Sequence, residues 1–381
     1  WQYVKHSRSD GHTIPTLRSA DSLHISDKNK ANALNNYFQS VFTTDDGNLP
    51  PVSASLPVSI GNIVFDLHGI EKELNRLNVN KSGGPDGIPP RILHDMSSEV
   101  APVLTFIFQQ SYDSGIVPKH WSMAMVFPIF KTGDKSQPCN YRPVSLTCIC
   151  CKVMEHVVLC HLNRFLSANN ILTDLQHGFR QGFSCETQLI LTVHDWASVI
   201  NSRGQVDAIL LDFSKAFDKV SHSKLLTKLQ SYGIRGKTLY WITAFLHHRH
   251  QFVSVNGSHS EVVPVTLGVP QGSVLGPTLF LLFINDIVNY SNSTLRLFAD
   301  DCILYRKIES SADQEVLNLD LENLYTWSKT WQMSFNTTKC KILSITNKRN
   351  TDPFPYKLDD VHLEHVESHR YLGVTCNNQL Q

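Results

Sequence analysis

The stretch Leu295–Tyr305, reading LRLFADDCILY, constrains the fold more than any other part of the chain. Apolar residues alternate up to Phe298, then Ala299, Asp300 and Asp301 interrupt them, and a second apolar run starts at Cys302. This pattern predicts a tight β-hairpin with two adjacent carboxylates at its tip. Neighbouring like charges repel, and Asp is a poor strand former. A divalent cation, which prefers oxygen ligands, would offset that cost. A third carboxylate, Asp212, ends the apolar run Ala208–Leu211. A strand-end Asp facing a hairpin-tip pair is the layout that holds two metal ions for in-line attack on a phosphate.

With 381 residues, 41% hydrophobic and 18% charged, the chain has room for two or three subdomains around a sizeable core. No run of 18 apolar residues occurs, so no transmembrane helix and no membrane partner are expected. The first residue is Trp1 and no signal-peptide pattern follows, which reads as a piece of a longer product. The net charge is zero, but its distribution is uneven. Lys119–Arg180 carries seven Lys/Arg against three acids, and Lys219–His250 carries six Lys/Arg, four His and no acid. Basic stretches beside an acidic centre fit either a polyanion-binding surface around a metal site or ordinary solvated faces. The nine cysteines form no paired C-x-x-C motifs. Cys148, Cys150 and Cys151 read as buried free thiols, and a reducing intracellular compartment follows.

In chain order, Ser26 caps a helix running to about Phe42, and Thr43–Ile60 reads as a linker. A helix at about Leu67–Leu77 leads into the Gly/Pro loop Lys81–Pro89, either a connector or a loop over a ligand. Strands at Val126–Lys131 and Asn140–Leu146 place Lys131 and Arg142 side by side, a possible grip for a triphosphate. A helix at about Cys150–Leu166 follows, and Ser184 caps another that runs to about Ser202. Val206–Phe217 contains the Asp212 strand, apolar on both faces. Next come a basic helix at about His222–Tyr232, a helix at about Lys237–His247, and a hairpin of Gln251–Val255 and Val262–Thr266 around Asn256-Gly257. The loop Gly268–Pro277 opens an apolar helix to about Val288, and its small residues allow close approach of a nucleotide. An amphipathic helix spans about Ala312–Trp331, with the acids at 313, 315, 320 and 322 on a solvated face. Strands at Cys340–Ile345 and Arg370–Val374 complete the reading.

In that order the motifs resemble the reverse transcriptase domain of non-LTR (LINE-type) retrotransposons, of the group that includes jockey-like and CR1-like elements. LLDFSKAFDKVSH resembles motif A, GVPQGSVLGP motif B, FADD motif C, FNTTKCKI motif D, and YLGV at 371–374 the last palm strand. GGPDGIP, PIFKTGD, NYRPVSL and QHGFRQGFSC resemble the finger motifs. Asp212 precedes Gln271 by 59 residues, and Gln271 precedes Asp300 by 29.

The resemblance implies an α+β right-hand polymerase with an antiparallel palm sheet backed by helices, fingers, and a truncated thumb. Residues 1–64 would be a connector after an absent N-terminal endonuclease domain, 65–205 the fingers, 206–349 the palm, and 350–381 the last palm strand and the start of the thumb. It implies RNA-directed DNA polymerase activity by two-metal nucleotidyl transfer from a dNTP to a primer 3′-OH, with an RNA template, a DNA primer and dNTPs as partners. Asp212 and Asp300 would hold two Mg²⁺ ions, with Mn²⁺ as substitute and Asp301 completing the set. Phe213, Phe217, Gln271 and Gly272 would contact the nucleotide, Phe217 by excluding a 2′-OH. Lys131 and Arg142 would bind the triphosphate, and Lys339 would donate a proton to pyrophosphate. A nuclear or cytoplasmic ribonucleoprotein would be its location. Two departures stand out: Phe183 replaces a second finger Arg, and the chain stops soon after YLGV. They motivate an alternative, a catalytically silent nucleic-acid-binding remnant, against which the complete carboxylate set argues. A third reading, an RNA-dependent RNA polymerase, would need a smaller residue than Phe217.

Overall fold

Seven segments form the longer strands of two five-stranded sheets: β1 (Met123–Phe130), β2 (Tyr141–Leu146), β3 (Gln205–Asp212), β4 (Arg249–Val255), β5 (Thr294–Phe298), β6 (Asp301–Ile308) and β7 (Lys341–Thr346). The computed structural model describes residues 14–19, 22–52, 55–348 and 353–380. Helix and sheet are mixed in two units, each gathered from separated stretches of chain. The first draws on the described residues of Trp1–Asp46, Ser55–Arg164 and Gln230–Gly276, and the second on those of Gly47–Ala54, Phe165–Leu229 and Pro277–Gln381.

In the first unit β1 pairs antiparallel with β2 and parallel with β4, and the short strands Ser258–His259 and Val263–Val265 extend the sheet from β4. The turn at Asn256-Gly257 joins β4 to the first of these, as its residue types predict. Ser26 caps the helix Asp27–Ser40 by accepting from the Asn29 amide at 3.3 Å. That helix buries Leu34 and Phe38 against Val126, Val253 and Val255. The described part of Thr43–Ile60 holds no helix or strand.

In the second unit β3 is the central strand, paired antiparallel with β6 on one side and β7 on the other; β5 extends the sheet beyond β6. Every residue of β3 before Asp212 is buried, which accounts for the apolar run Ala208–Leu211. The helix Cys185–Asn201 starts at a capping box on Ser184 and Thr187 and buries Trp196 against Val206, Ala208, Leu210 and Tyr305.

Three expectations are corrected. The basic stretch after Lys219, read as either a polyanion-binding surface or a solvated face, is only partly at the surface: Lys224, Lys228 and Arg249 are buried, whereas Lys237, His248 and His250 are exposed. The Lys228 ammonium donates to the Phe283 carbonyl at 2.6 Å, pairs with Asp286 and lies 3.6 Å from the Trp331 ring centre. Burial pulls the Lys228 pKa down to about 8, against the opposing pull of Asp286. Asp320 is fully buried rather than solvated, because its carboxylate accepts from the Asn292 and Ser293 amides at 3.0 and 2.8 Å. YLGV is not one strand. Leu372 and Gly373 both take positive φ and turn the chain between Ser368–Tyr371 and Val374–Asn377, a hairpin separate from the main sheet.

Candidate active site

The carboxylates of the second unit are set by strand register. Asp212, the last residue of β3, lies directly opposite Asp301, the first residue of β6. Opposed residues of an antiparallel pair carry their Cβ atoms about 4.5–5.5 Å apart. Phe298 and Asp301 are themselves paired, so Ala299 and Asp300 form a two-residue turn at the hairpin tip. The tip has the form its alternating pattern predicts.

The backbone of Asp212 is held by the segment before β7. Its carbonyl accepts from the Asn336 amide at 2.7 Å, and its amide donates to Cys340 Sγ at 3.5 Å. Lys339, on the same segment, brings its Nζ to 3.4 Å from Asp212 Oδ2. Burial raises the Cys340 thiol to about 11 and pushes the Cys302 thiol up as well. A cavity of about 460 Å³ is lined by Asp212 and Asp301 and by the cationic Lys339, Lys341 and Arg370. A lining that holds both acids and bases suits a phosphate-bearing ligand that arrives with a cation.

The donor set fits a hard divalent cation, and the Lys339 ammonium already stands as a positive charge against Asp212. Among the described residues no group of three or more His, Cys, Asp or Glu forms a ready-made metal cage. Mg²⁺ in nucleotidyl-transfer sites takes one or two carboxylates and completes its shell from substrate phosphates and water, so a full protein cage is not required.

Two motif A aromatics have different environments. Phe213 is buried, stacked on Phe335 at 4.5 Å between ring centres and close to Trp327. Its ring belongs to the core. Phe217 lies on the turn Ala216–Lys219, half-buried, stacked on Phe280 at 4.3 Å with Phe179 edge-on at 6.2 Å. Its ring is held in one orientation by these neighbours. Phe183 packs beneath the Arg180 guanidinium at 4.5 Å.

The remaining candidates lie in the first unit. Arg142 on β2 is paired with Ile129 of β1, and Lys131 lies just past the end of β1 with its amide donating to the Asn140 carbonyl at 2.9 Å; both cations are exposed. Gln271 accepts through its carbonyl from the Ser145 amide at 2.9 Å, while its buried side-chain Oε1 has no hydrogen-bond partner among the described residues. Gly272 has φ +110°, and a Cβ there would stand 2.3 Å from the Ser145 carbonyl oxygen, so only glycine fits. The Gly/Pro loop packs tightly on its neighbour: a Cβ on Gly84 would meet Cys148 Cα at 2.7 Å, and Cys148 Sγ donates to Asp86 at 2.6 Å.

Sequence reasoning passed over Glu155. It is fully buried and accepts from the Val274 and Leu275 amides at 2.7 and 3.0 Å, anchoring the loop that carries Gln271. Burial raises its pKa while the two amides and Arg249 oppose the rise. An acid inside the apolar run of Ile149–Ala168 was the available signal.

The reverse transcriptase (RNA-dependent DNA polymerase) family matches residues 130–376. The chain is 29% identical, over 87% of its length, to the RNA-directed DNA polymerase from mobile element jockey of Drosophila melanogaster, covering 36% of that protein. It is 27% identical over 100% of its length to the probable RNA-directed DNA polymerase from transposon BS of the same fly, covering 44% of it. For the corresponding protein of transposon X-element the figures are 28%, 83% and 35%. The chain therefore spans less than half the length of these relatives, whose names agree with the LINE-type resemblance of its motifs. By the match over most of its length, this chain belongs to the reverse transcriptase (RNA-dependent DNA polymerase) family.

Proposed function

We propose that the chain carries the RNA-directed DNA polymerase activity of a non-LTR retrotransposon, adding dNTPs to a DNA primer on an RNA template inside a nuclear or cytoplasmic ribonucleoprotein. The observation that carries this reading is the register pairing of Asp212 with Asp301, with Asp300 in the adjoining turn. The sheet of β3, β5, β6 and β7 is the palm in this reading, and the first unit carries the fingers. Asp212, Asp300 and Asp301 would hold two Mg²⁺ ions, which when bound supply charge stabilisation at the reacting phosphate.

The protein's own groups do the rest. Lys131 and Arg142 bind triphosphate oxygens, Arg142 with a geometry suited to two bonds at once. Gln271 touches the incoming nucleotide, and Gly272 leaves its backbone approachable beside it. The ring of Phe217, fixed by Phe280, excludes a ribose 2′-OH. Lys339 supplies a proton to the leaving pyrophosphate. The test is extension of a DNA primer on an RNA template with Mg²⁺. Wild-type extension that Asp212→Ala abolishes supports the reading, and extension unchanged in that variant refutes it. Template–primer binding that weakens steeply with salt, without incorporation, would favour the silent remnant.

A further inference from the structure

The second unit holds a buried polar side chain that the proposed chemistry does not use. Gln176 is 2% exposed and its backbone runs alongside β5 as a parallel bridge to Leu297. The His177 amide donates to the Leu297 carbonyl, and the Leu297 amide to the Leu175 carbonyl, both at 2.9 Å. From there the Gln176 side chain reaches the hairpin tip. Its Oε1 accepts from the amides of Ala299 and Gly178, each at 2.8 Å, and its Nε2 donates to the Ala299 carbonyl at 3.2 Å. Two amides pointing at one atom require that atom to be the oxygen, so the amide orientation is fixed by its partners.

One side-chain amide thus satisfies both backbone groups of the residue immediately before Asp300. That residue needs the support: Ala299 has φ +53°, in the left-handed region that a Cβ disfavours. Gly178 makes the approach possible, since a Cβ there would stand 2.2 Å from the Ala299 nitrogen. Outside the clamp, Arg180 Nη1 donates to the carbonyls of Thr173 and Gln176 at 2.6 and 3.2 Å, which fixes the loop itself. A planar group with both acceptor and donor is needed at 176; Met would fill the space and make none of the three bonds.

We propose that Gln176 is a positioning residue: it holds Ala299 in its left-handed conformation and thereby aims the carboxylates of Asp300 and Asp301 for a divalent cation. The aim rests on the polymerase reading above, whereas the clamp does not. The test compares wild type, Gln176→Met and Asp300→Ala by two measurements that need no catalysis. Hydrogen exchange resolved to the peptide Leu295–Tyr305 reads the clamp, and Mn²⁺ titration followed by electron paramagnetic resonance reads the aim. Losing the three bonds should speed exchange at the tip by about tenfold or more. Mn²⁺ affinity should fall about tenfold toward that of Asp300→Ala, while exchange in the helix Ser311–Thr330 stays as in wild type. Should Gln176→Met fail to fold, Gln176→Glu keeps the two accepted bonds but sets its second carboxyl oxygen against the Ala299 carbonyl, and should likewise speed exchange at the tip. Tip exchange unchanged by the substitution overturns the proposal, and so does faster exchange with wild-type Mn²⁺ affinity. Equal Mn²⁺ affinity in wild type and Asp300→Ala would overturn the aim together with the metal reading, and the exchange result would still judge the clamp.

Discussion

Lys339→Met separates two effects of one ammonium at Asp212, and they have opposite signs. At the observed 3.4 Å, unit charges attract by about 1 kcal/mol in water and about 5 kcal/mol at an effective dielectric near 20. The side chains of Lys339 and Asp212 are 56% and 40% exposed, which places the pair near the aqueous limit, where exposed ion pairs contribute about 0.2–1 kcal/mol. A divalent cation at Asp212 must displace or tolerate that ammonium. Its removal should therefore tighten Mn²⁺ binding by up to about fivefold at low salt. Screening should shrink the gain as the ionic strength rises toward about 0.5 M. Turnover should move the other way, because loss of a general acid costs about 10²-fold or more. The assay pairs Mn²⁺ titration at low and high salt with single-nucleotide incorporation at saturating metal. Weaker or unchanged Mn²⁺ binding at low salt would refute the electrostatic argument, and undiminished incorporation would remove Lys339 from the chemistry.

Three other perturbations have defined outcomes. Glu155→Leu strips the acceptor from two amides and should destabilise the first unit by about 2–5 kcal/mol, seen as a lower thermal midpoint; a shift within error would mean that the loop stands without it. Phe217→Val should lower the ratio of kcat/KM for dNTP over rNTP by at least about tenfold, and an unchanged ratio would return Phe217 to the core. Lys228 carries a pH signature: its folded pKa of about 8 lies below the ordinary 10.5, so between these values the unfolded chain binds more protons and stability rises with pH. Urea unfolding of wild type against Lys228→Met should show the difference growing in favour of wild type from about pH 8 to 10.5, and a flat difference would contradict the assigned burial cost.

What the sequence made legible is local. The β5–β6 hairpin, the β3 run ending at Asp212, and the caps at Ser26 and Ser184 each follow from periodicity or a side-chain-to-backbone bond within a few residues. What stayed hidden depends on partners that only folding supplies. Lys228 reads as a surface cation until Asp286 and Trp331 enclose it. Asp320 reads as solvated until the amides of Asn292 and Ser293 arrive. Glu155 and Gln176 act on backbone more than a hundred residues away, and nothing in their own neighbourhoods names those targets. The YLGV turn escaped because Leu372 takes a left-handed conformation that its residue type does not announce.

The most direct test of the central claim is incorporation of labelled dTTP on an oligo(dT)-primed poly(rA) template with Mg²⁺, wild type beside Asp300→Asn. The substitution keeps the shape of the side chain and removes its charge. Incorporation by wild type that falls to background in Asp300→Asn is the predicted result. Equal incorporation by the two proteins would contradict the assignment of the hairpin carboxylates as the catalytic metal site.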